Sequence, residues 1–212
     1  MRVFFLAFMA GACLLMGACS SGMKAGLITL QQEVMPTRQD VRQSPLQPGV
    51  RYLLVEERGQ EALLVWVGTE QGPLGETTVW TSADGVIVRL VQGRLVGVAE
   101  PLRTWRLTSE TAFAVANTSQ FSQRSDVQPG YRMGLVRTIE KKIVPSVPRP
   151  MPWVEESRHL NWIEEVDVST GQRLAIVAVN EMNQTIAGQR CISPQWCLRW
   201  QAWPANPPRP PA

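Results

Sequence analysis

The sequence holds one histidine, four cysteines and an 18% share of charged residues across 212 positions. So little imidazole and thiol leaves scant material for a metal centre built on nitrogen and sulfur ligands. Charge of either sign is thin. Lysine and arginine number 21 against 18 acids, a net charge of +3, and the longest basic run is the pair Lys141-Lys142. A nucleic-acid surface needs clustered cations, so no nucleic-acid partner is expected. Long apolar runs are missing after the N-terminus, which excludes a polytopic helical membrane protein. The chain also lacks a GxSxG elbow, an HExxH helix, a P-loop and a GxGxxG turn, and no cofactor is expected. The 44% apolar content is ordinary for a globular chain and excludes disorder of the whole. The length suffices for a core in one domain or two small ones.

What is present begins with a targeting signal. Arg2 precedes an apolar run from Val3 to Met16, shorter than the roughly 20 residues of a spanning helix. Gly17 and Ala18 follow, then Cys19. Positive, apolar, small, cysteine is the pattern of a bacterial lipoprotein signal, with residues 1–18 removed and Cys19 acylated. Cys13 is the competing site but leaves a shorter apolar run. The plainer alternative is a secreted protein cut near Ala18 with Cys19 a free thiol. Two or more acyl chains give stable anchoring, so the membrane partner is reached by a lipid anchor, not a span. Ser20 and Ser21 stand where an inner-membrane retention Asp would, so the expected place is the outer membrane, facing the periplasm. Residues 19–26 read as a tether.

Two cysteines remain, Cys191 and Cys197, in RCISPQWC. An oxidising compartment makes a disulfide between them the expectation. CxxC redox spacing is absent, and zinc lacks further ligands.

From Arg51 onward, YLLVEE, ALLVWVG, TTVWTSA, GVIVRLV and RLVGVA are short Val-, Leu-, Thr- and Trp-rich runs parted by turn residues, the rhythm of antiparallel sheet. Asp84-Gly85 is the sharpest hairpin signal and Gln92-Gly93 a weaker one. WRLTSETAFAVAN and YRMGLVRTIEKKIV continue the pattern. Pro145, Pro148, Pro150 and Pro152 then interrupt it. HLNWIEEVDV, the turn Ser169-Thr170-Gly171 and QRLAIVAVNEM make another hairpin. The expected fold is all-β, mainly antiparallel and sandwich- or barrel-like. Its expected divisions are a β-rich lobe over 27–143, a Pro-rich connector over 144–152, a second β lobe with the disulfide over 153–203, and a Pro-rich tail over 204–212.

The unit TTVWTSADGVIVRLVQGRLVGVAEPL resembles the signature of the YjbF/GfcB lipoprotein family: a Trp strand, a Ser-Ala-Asp-Gly turn, an apolar strand, a Gly-Arg turn and a Val-rich strand. Trp80, Ser82, Asp84, Gly85, Gly93 and Arg94 carry the match, and Trp162 with Ser169-Thr170-Gly171 resembles a second family region. The chain departs from the pattern after the Gly-Arg strand, where Val98 to Leu102 replaces Thr-x-Gly-Leu, and in the pair Cys191/Cys197. The resemblance implies an all-β, non-enzymatic outer-membrane lipoprotein. It also implies association with exopolysaccharide or group-four capsule export, with a polysaccharide or an export protein as partner.

Remaining clusters have plainer readings. His159 lies among Glu155, Glu156, Glu164, Glu165 and Asp167, where an acid–base or metal site is conceivable. Strand alternation splits Glu164 from Glu165, so a solvated hairpin is the simpler reading. A carboxylate pair for glycan hydrolysis needs no fixed spacing, which keeps a periplasmic hydrolase as an alternative, beside a structural envelope lipoprotein with no glycan role. Eight tryptophans are many for this length. Trp66 and Trp80 read as core, while Trp196, Trp200 and Trp203 are the better candidates for an exposed aromatic surface, with core or edge packing the favoured alternative. Asp84 reads first as a turn former, and Arg94 as a turn residue or surface ion-pair partner.

Overall fold

Hydrophobic alternation with a period of two, broken every few residues by turns, builds one continuous meander. The structure, a computed structural model, describes residues 40–112, 119–145 and 160–203. The signal, Cys13, Cys19, the tether, Trp153, His159, Pro148, Pro150, Pro152 and the tail lie outside the described residues.

A short helix α1 (Asp40–Gln43) leads into twelve strands. They are β1 (Tyr52–Glu57), β2 (Gln60–Gly72), β3 (Gly75–Thr81), β4 (Ile87–Val91), β5 (Arg94–Glu100) and β6 (Arg103–Ala112). After these come β7 (Gln120–Gln128), β8 (Arg132–Val144), β9 (Asn161–Asp167), β10 (Arg173–Val179), β11 (Thr185–Ser193) and β12 (Trp196–Trp203). Each strand pairs with the next, and β1 pairs with β12 to close an up-and-down barrel. Closure leaves no unpaired sheet edge. The stretches on either side of the proline connector share this one sheet. β8 runs to Val144 and pairs directly with β9, Ile143 opposite Ile163 and Val144 opposite Trp162.

The turns explain the registers. Gln92 (φ 49°) and Gly93 (φ 79°) form a two-residue turn between Val91 and Arg94, and Arg58-Gly59 does the same between Glu57 and Gln60. The Asp84-Gly85 turn is longer than its sequence suggests, because five residues, 82–86, join β3 to β4. Ser82 organises it: the Val86 N–H donates to Ser82 Oγ at 3.1 Å, Gly85 N–H donates to Ser82 O at 3.2 Å, and the hydroxyl pairs with Asp84. Only Gly85 there has positive φ.

One side of the barrel interior is apolar. Leu53, Val55, Leu64, Trp80, Val88, Leu95, Val98, Trp105, Leu107, Val177, Leu198 and Trp200 form its main cluster. The other side is charged, as described below. The outer face bears charge ladders across neighbouring strands. Arg199 reaches Glu56 at 3.3 Å and Gln189 at 3.0 Å, and Arg173 reaches Glu164 at 2.9 Å. Such a face suits water better than lipid. The expected disulfide is present between Cys191 and Cys197, which sit opposite each other on β11 and β12.

Candidate functional site

The two ends of the barrel differ chemically. At one end the β1–β2, β5–β6 and β11–β12 tips are tied together. Arg58 donates to the Gln195 carbonyl at 2.9 Å, and Arg103 bridges Glu57 and Glu100. Trp196 belongs to this closed end. Its indole N–H donates to Glu100 at 3.2 Å, and Arg103 lies 4.6 Å from its ring.

The other end opens into a cavity of about 710 Å³. That volume falls in the range of small-molecule sites. β1 enters and β12 leaves here, so Arg51, Tyr52, Ala202 and Trp203 stand on its wall with Trp80, Leu90, Gly93, Ile186 and Trp200. Two of the three indole N–H groups of the wall already have internal partners. Trp80 donates to Thr78 Oγ1 at 3.1 Å, and Trp200 donates to the Gly93 carbonyl at 2.8 Å. Tyr52 Oη accepts the Gln47 N–H at 3.0 Å.

Two glycines make this packing feasible. A Cβ on Gly188 would come within 2.3 Å of the Trp200 ring, and one on Gly93 within 2.3 Å of the Thr185 carbonyl. The β4–β5 turn therefore leans across the barrel onto β11, where only glycine fits. Arg51 is the one cation among the lining residues, which include no carboxylate. Its guanidinium lies 4.9 Å from the Trp66 ring and 5.6 Å from the Trp80 ring, which face each other across β2 and β3.

Behind the Gln92-Gly93 turn lies a second constellation. Arg94 enters the interior and pairs with Glu165 at 3.0 Å and Glu110 at 2.8 Å. Arg190 pairs with Glu165 at 2.7 Å, donates to Gln123 at 2.9 Å and lies 4.7 Å from the Trp105 ring. Lys141 reaches Glu110 at 3.4 Å. Burial would raise the Glu165 pKa, but Arg190 and Arg94 overcome it and hold the carboxyl down at about 2. Burial likewise opposes the Arg94 charge, yet Glu165 and Glu110 raise its pKa above the ordinary value. A general acid needs its pKa moved upward, toward neutrality. Glu165, in ion pairs with two arginines, is arranged the opposite way.

The structure thus sorts the residues singled out from sequence. Trp80, Gly93, Trp200 and Trp203 meet at the cavity. Arg94 is a buried ion-pair partner, not a surface one. Asp84 and Gly85 build the β3–β4 loop away from the cavity lining. Trp196 and Trp200 are 5% and 3% exposed, so they are core residues and not an aromatic surface, and only Trp203 is partly open. Trp66 departs from its expected core place and is 36% exposed beneath Arg51. Glu165 is 1% exposed, not solvated, while Glu164 faces out as alternation requires. Arg51 and Tyr52 escaped notice because a cation and a tyrosine before a strand carry no distinguishing pattern. Arg190 escaped because its partner is far away in sequence.

The class defined by these features is a closed up-and-down β-barrel with an aromatic-walled cavity at one end and an ion-paired interior. No family model matches this sequence, and no curated protein matches it either. Among solved structures, it is similar to the crystal structure of the hypothetical lipoprotein YmcC from Escherichia coli (K12), with a TM-score of 0.50 and 13% identity over 89% of this chain and 95% of that one. At that identity the likeness shows the fold alone.

Proposed function

We propose that the protein is a lipid-anchored, non-enzymatic binding protein of the bacterial envelope, held at the outer membrane by Cys19 and acting as an accessory factor in exopolysaccharide or capsule export. The observation that carries the binding role is the open cavity walled by Trp80, Trp200 and Trp203, whose lining holds a single charged group, Arg51, and no carboxylate. The interior carboxylates Glu110 and Glu165 are tied up by arginines, which favours binding over hydrolysis. The anchor rests on the Arg2-to-Cys19 pattern, and the name of YmcC, a hypothetical lipoprotein of similar fold, agrees with it. The export role rests on the resemblance around Trp80–Arg94.

A deletion strain complemented with wild type or with Cys19→Ser tests this reading. Loss of surface polymer restored only by the wild type, with that protein in the outer-membrane fraction, is the expected result. Unchanged polymer in the deletion strain would end the export role. Equal rescue by Cys19→Ser would end the need for the anchor.

A further inference from the structure

The cavity wall narrows the chemistry of its ligand. A neutral sugar presents hydroxyls on every edge and needs hydrogen-bond partners for them. Here the Trp80 and Trp200 N–H groups already have internal partners, and the Tyr52 oxygen already accepts the Gln47 N–H. Most of the remaining wall is apolar, from Leu46, Leu90, Ile186 and the indole faces, with Gln47, Thr185 and the Tyr52 O–H as its few polar groups and Arg51 as its one cation.

That cation is prepared for an anion. No carboxylate pairs with Arg51 among the described residues, and none lines the cavity. Its guanidinium lies over the Trp66 and Trp80 rings. Its N–H donors have no acceptor among the described residues, which leaves them for a two-point contact with a carboxylate or phosphate. The backbone is fixed as well, since the Trp66 N–H donates to the Arg51 carbonyl at 3.0 Å. Beside Arg51 the rim is apolar and open. Val65, Trp66 and Val67 of β2 are 37%, 36% and 57% exposed. Aromatic and cationic side chains beside exposed aliphatic ones are the composition of a lipid–water boundary. Residues 46–53, which lead into β1, line the cavity at this end.

We propose that the cavity binds an anionic amphiphile of the membrane, with one hydrocarbon chain against the walls formed by Trp80, Trp200 and Trp203 and its carboxylate or phosphate on Arg51. The proposal rests on the reading of this cavity as the binding site and is independent of the polysaccharide role. The volume of about 710 Å³ accommodates one such chain with its head group at the mouth.

Metabolic labelling with a diazirine-bearing fatty acid tests this on the membrane-anchored full chain. Cells making the protein incorporate the probe, are irradiated, and the purified protein is mapped by mass spectrometry. Adducts are expected on peptides carrying residues 46–53, 186 and 200–203. Their mass separates a free fatty acid from an intact phospholipid. Arg51→Gln should lower the yield about tenfold, the loss expected for one charge-assisted contact. Arg51 is exposed, so an unchanged melting temperature serves as the check on folding. Trp203→Ala should lower the yield independently. Equal labelling of wild type and Arg51→Gln would overturn the anionic head group. Adducts confined to the Cys19 region and the outer face would overturn the cavity site altogether. An acidic oligosaccharide that competes for the cavity while no lipid adduct forms there would also overturn the proposal, yet leave the binding role standing. Loss of polymer in an unlabelled cavity would separate failure of this inference from failure of the export reading.

Discussion

Gly93 and Arg94 divide between them the work of one turn. Gly93 adopts φ 79° and lets the turn touch Thr185, and Arg94 carries a positive charge inward to Glu165 and Glu110. Gly93→Ala must displace the Thr185 backbone as well as strain its own, and the expected cost is about 3 kcal/mol or more. Gly85→Ala has the same kind of strain but open space around the new methyl, so about 1 kcal/mol is expected. Denaturant titration of both variants checks the contrast. Glu165→Gln leaves Arg190 buried with a neutral partner, and a loss of about 3–5 kcal/mol is expected.

The same group sets an acid limit. The folded Glu165 pKa, about 2, lies below its ordinary 4.5, so its contribution is present above pH 4.5. It is lost as pH falls toward 2, because the unfolded chain binds the proton more readily. Unfolding followed across that window should show the decline, and Glu165→Gln should flatten it. At this scale the sequence was partly readable. The Gly-Arg pair stood out as a turn. The depth of Arg94 did not, because its partners lie 16 and 71 positions away.

Among the elements, those with apolar alternation were legible and those facing the charged interior were not. β4, IVRLV, shows the expected alternation, with Val88 and Leu90 inside. β7, QFSQRSDVQ, carries little apolar signal, because its inward Gln123 serves Arg190 and Glu110 rather than a hydrocarbon core. The Ser169-Thr170-Gly171 turn was visible, and the structure adds its organiser. The Asp167 carboxylate accepts the Ser169 N–H at 2.9 Å and the hydroxyl at 2.6 Å. The disulfide was readable from cysteine count and compartment. It closes a loop with a sequence separation of only 6, across two strands that already pair. Replacing both Cys191 and Cys197 with serine should therefore cost about 2 kcal/mol, by the loop-entropy relation, without loss of the barrel. Thermal melting with and without reductant measures it.

At the scale of the whole molecule, closure is what no local pattern revealed. The proline-rich stretch marks a change of texture, yet β8 and β9 pair across it and β1 pairs with β12. Pairing between chain ends is non-local, and strand rhythm alone fits two small sheets as well as one barrel. The consequence is cooperative unfolding: calorimetric and van't Hoff enthalpies should agree, and two separate transitions would contradict a single closed sheet. Closure also creates the cavity, since Arg51 and Trp203 become neighbours of Trp80 and Gly93 only when the first and last strands meet. The aromatic residues were visible in the sequence, but their meeting place was not.

If the cavity is the working part of the protein, surface polymer depends on its Arg51 and Trp203. The most direct measurement is surface polymer in a strain whose only copy carries Arg51→Gln with Trp203→Ala, at wild-type abundance and in the same membrane fraction. Polymer should fall nearly to the level of the deletion strain. Polymer at the wild-type level, from a stable and correctly anchored variant, would contradict it.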